Sequence, residues 1–71
     1  MRITFFKHPQ NVIVEYGNKE YTSTHEKCYD FIQKEFPELL TSFVKSANCF
    51  TIYVERIDFI NKISGFISTL K

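Results

Sequence analysis

Four side chains in this sequence belong to the types that hold zinc: His8, His25, Cys28 and Cys49. Zinc takes four nitrogen or sulfur ligands in a tetrahedron, usually delivered as two close pairs. His25 and Cys28 lie three residues apart and would share a helix face. His8 and Cys49 form no second close pair. The set therefore reads as a first-turn histidine facing water and a buried thiol, and neither a metal nor any other cofactor is expected. Cys28 also has the elements of a nucleophile, with a helix N-terminus to favour the thiolate and His25 as a base. It shares its helix face with Phe31 and Ile32, however, which is the setting of a structural thiol. The only glycines, Gly17 and Gly65, are isolated, so no glycine-rich loop can cradle a phosphate. Glu26, Asp30 and Glu38 read as a solvated helix face. The chain is not expected to be an enzyme.

Chemistry of binding has more support. Strand-like segments place Ile3, Phe5, Val12, Val14, Phe50, Ile52 and Val54 on one side of a sheet. Phe6, Ile13 and Tyr53 go to the other. In a chain of 71 residues the helices are too few to cover both sides, so this second side is a candidate binding surface. The competing reading covers Phe6 and Ile13 with a helix. A second candidate surface is the flank formed by Phe59 and Phe66 on the last helix. Exposed apolar patches rimmed by charge mark protein partners, and Tyr and Phe are strong anchors. A sheet edge adds a route to a homodimer. Aromatics on an open sheet also stack single-stranded nucleic acid, with Arg2, Lys7 and Lys19 available for phosphates. Glu15, Glu20 and Glu55 fall on the same side and oppose that use.

The elements that must position these residues follow from periodicity. Residues 2–7 (RITFFK) are strand-like, and His8-Pro9-Gln10-Asn11 is a turn. Residues 12–16 (VIVEY) form a second strand. Gly17-Asn18 suits a two-residue hairpin turn, and residues 19–22 pair back. Setting Tyr16 opposite Lys19, and Lys7 opposite Val12, brings Ile3, Phe5, Val12, Val14 and Tyr21 onto one face. Phe6, Ile13, Glu15 and Glu20 share the other. Ser23-Thr24-His25-Glu26 matches a capping box, predicting a helix from Ser23 or Thr24. Cys28, Phe31, Ile32 and Phe36 continue it. Pro37 should break or kink it and start a second piece that ends near Ser46. Residues 49–55 (CFTIYVE) are the clearest strand. A final helix runs from about Ile57 to Leu70, with Ile60, Ile63, Ile67 and Leu70 at helical spacing. The order β-β-β-α-β-α predicts an α+β fold: one small domain over residues 1–71, an antiparallel four-stranded sheet, and a Pro-kinked helix and a C-terminal helix packed on one face.

Composition bounds the partners. Nine basic and eight acidic residues leave a formal charge of +1, too little to steer nucleic acid or an anionic membrane. The longest uncharged run, Ile63 to Leu70, is too short to span a bilayer, and no signal-peptide pattern opens the chain. A cytoplasmic protein with reduced thiols is expected. Lysine outnumbers arginine seven to two, and Ile, Phe, Tyr and Asn are abundant. This usage is associated with AT-rich coding sequence, as in low-GC bacteria, their phages and plasmids. The leading expectation is a non-enzymatic protein-binding module: a phage or mobile-element inhibitor or accessory factor that docks on a host defence or nucleic-acid-processing enzyme. A single-stranded nucleic-acid binder is the alternative.

Overall fold

Alternation of apolar residues in the first 23 positions builds a meander, and the computed structural model, which describes residues 1–71, contains it. Strands β1 (Arg2–Lys7), β2 (Val12–Tyr16) and β3 (Lys19–Ser23) are followed by helix α1 (His25–Glu35), a 3₁₀ turn (Pro37–Leu39), helix α2 (Leu40–Lys45), strand β4 (Cys49–Tyr53) and helix α3 (Ile57–Ser68). The sheet is antiparallel in the order β3-β2-β1-β4. The expected register holds: Lys7 faces Val12, Phe5 faces Val14, Val14 faces Tyr21, and Tyr16 faces Lys19. Gly17 alone has a positive φ, 65°, the pattern of a type II′ turn, whose twist matches the flanking strands.

Helix α1 is capped by Thr24, whose side chain accepts from the Lys27 N–H at 3.1 Å. Ser23 is instead the last residue of β3 and is buried, so the capping-box reading fails: the residue three beyond the true cap is Lys27, which cannot reciprocate as Glu would. Pro37 ends α1 rather than kinking it. A residue before proline is pushed out of α geometry, and Phe36 sits at φ −134°, ψ 58°. Pro37 then opens the 3₁₀ turn that leads into α2.

All helices pack on one side of the sheet. Ile3, Phe5, Val12, Val14 and Ile52 supply the sheet half of the core. Cys28, Phe31, Ile32, Phe43, Ile63, Phe66 and Ile67 supply the helical half. Seven of the eight phenylalanines form a continuous chain of ring contacts, Phe50–Phe43–Phe5–Phe66–Phe31–Phe36–Phe59. Its tightest link is the stack of Phe31 on Phe66, with centroids 4.3 Å apart and planes 9° apart. Offset and edge-on contacts of this kind add about 0.5–1.5 kcal/mol each beyond area burial. Phe6 is the only phenylalanine outside the chain.

Neighbouring phenylalanines should therefore differ sharply. Phe5→Ala removes a fully buried ring that touches both Phe43 and Phe66 and is expected to cost about 3–5 kcal/mol. Phe6→Ala should cost about 1 kcal/mol, the scale of a half-buried sheet position. Urea unfolding of the two variants measures the contrast.

Candidate functional site

Period two sends Arg2, Thr4 and Phe6 of β1 to the side opposite the helices, and the register sets their neighbours. One row across the sheet reads Thr22, Ile13, Phe6, Cys49. The next reads Glu20, Glu15, Thr4, Thr51, and beyond it Arg2 faces Tyr53. No helix covers this face. Phe6 and Ile13 are half-buried by their sheet neighbours, and Tyr53 is 76% exposed. The expected open face is thus present, and Phe6, Ile13 and Tyr53 all lie on it. Phe6 and Ile13 line a shallow depression at the β3 end, with His8, Glu20, Tyr21 and Thr22.

The centre of the face is tied down. The Thr4 and Thr51 hydroxyls bond across the strands at 3.0 Å. Beside them, Glu15 and Glu20 stand directly opposite each other. Like charges in that position oppose pairing by up to about 1 kcal/mol. Neither of the two ion pairs in the structure, Arg56–Asp58 and Glu35–Lys62, relieves them.

The cations expected on this face are mostly elsewhere. Lys7 faces inward with Val12, and its ammonium donates to the Phe43 carbonyl at 2.6 Å, the Ser46 carbonyl at 2.9 Å and the Ser46 hydroxyl at 3.3 Å. It also lies 4.5 Å from the Phe43 ring centroid. Lys7 is a C-terminal clamp on α2, where a cation meets the helix dipole, and not a phosphate contact. Lys19 belongs to the inward register as well, opposite Tyr16. Arg2 alone of the three cations remains on the open face. Glu55 lies beyond the end of β4. Alternation from Ile3 through Phe5 to Lys7 already carried the signal for Lys7.

The second candidate surface needs correction. Phe66 is buried, stacked on Phe31 and within reach of Phe5. Three helical segments converge on that side of the sheet and draw the ring into the core. Phe59 is half-buried against Phe36, with Arg56 and Lys62 each 5.5 Å from its centroid. Exposed apolar side chains outside the two candidate surfaces are Met1, Tyr29, Val44 and Ile57.

The sulfur and imidazole groups are dispersed. His25 Nε2 donates to the His8 carbonyl at 2.6 Å, bracing the β1–β2 turn against α1. Cys28 is buried on the helical side, and Cys49 is exposed on the open face, so the sheet separates the two free thiols. No three His, Cys, Asp or Glu side chains converge in a metal-binding arrangement. Burial raises the Cys28 thiol above its ordinary value, with the Ser23 hydroxyl opposing the shift. No helix is long and apolar enough to cross a membrane.

A thiol reagent should label Cys49 in the folded protein and Cys28 only on unfolding. Because the folded state holds Cys28 protonated, its contribution to stability is complete below the ordinary thiol range and is lost as pH climbs through the raised value, which the pH dependence of urea unfolding measures. Lys7→Met should cost about 1–3 kcal/mol in thermal or urea unfolding, since it leaves helix-end carbonyls without their donor. No protein-family model matches this chain, and no curated protein or solved structure matches it either.

Proposed function

We propose that this protein is a non-enzymatic docking module whose open sheet face binds another protein. The observation that carries the reading is Phe6. Seven phenylalanines are spent on the core chain of rings, while the eighth stands with Ile13 on the uncovered side of the sheet. A large apolar side chain in that place gains most when a partner removes it from water. Tyr53 adds an amphipathic anchor at the other end of the face.

Charge defines the partner's chemistry. Glu15 and Glu20, with only Arg2 to balance them, give the face a negative bias. The complementary surface is apolar at its centre and carries Lys or Arg to meet the glutamates. Approach of such cations would also relieve the Glu15–Glu20 repulsion. A single-stranded nucleic acid fits less well, because two of its three expected phosphate contacts, Lys7 and Lys19, point to the helical side. A small inhibitor or accessory factor acting on a host enzyme is the form this reading takes.

The test is capture of partners from host lysate after nuclease treatment, followed by binding measurements with the purified partner. Phe6→Asp should weaken binding at least tenfold, about 1.4 kcal/mol or more, without unfolding the protein. Glu15→Lys with Glu20→Lys should weaken a basic protein partner and strengthen a nucleic acid. Recovery that disappears with nuclease, or binding indifferent to Phe6→Asp, would sink the proposal.

A further inference from the structure

The two edges of this sheet are treated differently by the sequence. Edge strands expose unpaired backbone groups, and charge, proline or a bulge normally blunts them. Strand β3 opens with Lys19 and Glu20. Strand β4 has no such protection. From Ala47 to Val54 there is no charged residue, no proline and no glycine, and its pairing with β1 runs without a bulge.

The geometry of that edge can be read from its inner ladder. Met1 and Val54 exchange both backbone bonds at 2.8 Å, and the Lys7 N–H donates to the Asn48 carbonyl at 2.7 Å. In an antiparallel ladder such bonded pairs alternate with non-bonded ones. Phe50 and Ile52 therefore turn their backbone groups towards β1. Cys49, Thr51 and Tyr53 turn theirs outward, where β4, as the last strand, has no neighbour.

We infer that β4 pairs antiparallel with β4 of a second copy, about a two-fold axis at Thr51, joining the two sheets into one. The outward triplet is symmetric about Thr51. Thr51 meets its own counterpart, and Cys49 meets Tyr53 of the second copy, so that all the outward groups are bonded, about six hydrogen bonds in all. The side chains match in the same register. On the open face the large Tyr53 lies against the small Cys49 of the other copy. On the helical face Phe50 lies against Ile52. Ile52 borders a groove of about 420 Å³ at the end of β4, where Phe36, Leu39 and Phe59 form the apolar part and Glu38, Glu55 and Arg56 the charged part. The second copy's Phe50 enters at its lip. A formal charge of +1 opposes the approach of two copies only weakly. A two-fold, self-complementary contact of this kind closes after one pairing and does not propagate.

The experiment is sedimentation or light-scattering mass over a range of concentrations, with circular dichroism to follow the fold. The native chain is expected to approach twice its 8.4 kDa mass as concentration rises. Thr51→Pro deletes the outward donor at the axis without touching the β1 ladder, a place where an edge strand tolerates proline, and should return the mass to that of one chain. Thr51→Lys sets like charges against each other at the axis and should do the same should the proline variant fold poorly. Thr51→Val loses the hydroxyl but keeps the backbone and should still dimerise. Phe6→Asp, on the face and one strand in from the edge, leaves every outward backbone group of β4 in place and should leave the dimer intact, which separates this inference from the docking role of that face. A single-chain mass at every concentration overturns the inference. So does a dimer that survives Thr51→Pro and Thr51→Lys, or one lost in Phe6→Asp alone.

Discussion

Phe5 sits where the sheet and the helices must agree. It lies on β1, which has a strand on each side, and its ring meets Phe43 of α2 edge-on at 5.6 Å and Phe66 of α3 at 6.5 Å. A domain of this size buries only about 60% of the surface its unfolded chain exposes, so few residues share the stabilising burden. The aromatic chain through Phe5 concentrates it along one line from Phe50 to Phe59. The polar accommodations serve that line. Lys7 closes the C-terminal end of α2 so that Phe43 can stay over Phe5, and the buried Cys28 and Ser23 lie where β3 hands over to α1.

Placing every helix on the Phe5 side leaves the other side of the sheet bare. The β-β-β-α-β-α order uses its helical residues once, and none remain for a second layer. The open face is consequently held by side chains that tolerate water, Thr4 with Thr51 at its centre and Glu15 with Glu20 beside them. Phe6 and Ile13 are the exceptions, and they stand next to an unrelieved pair of carboxylates. The edges obey a related constraint. Backbone groups unpaired in water are tolerated, but an uncharged run of strand-forming residues along them favours further pairing. The charged start of β3 and the uncharged length of β4 set the two edges apart.

Much of this arrangement is written in local patterns. Strand register needs only the period-two alternation and the Gly17-Asn18 turn, because a slip of one residue would turn every apolar side chain of β1 and β2 to the wrong face. The same count places Lys7, Phe6 and Ile13 on their faces before any tertiary contact is known. The break at Pro37 is equally local, since proline constrains Phe36 whatever surrounds it. For the candidate site, alternation sufficed to name Phe6, Ile13 and Tyr53.

Tertiary packing decided what periodicity leaves open. Helical spacing says that Phe66 belongs to the apolar side of α3, but only the position of Phe31 on α1 determines that the ring is stacked and buried. Alternation turns Lys7 inward, but only the end of α2 supplies carbonyls for its ammonium. The choice of Thr24 over Ser23 as the helix cap depends on β3 running one residue longer to keep Ser23 paired with Val12. The bareness of the Phe6 face is likewise a tertiary fact. Its residues were determined by the sequence alone. That no helix lies over them follows from the packing of Phe43 and Phe66 against Phe5 on the other side of the sheet.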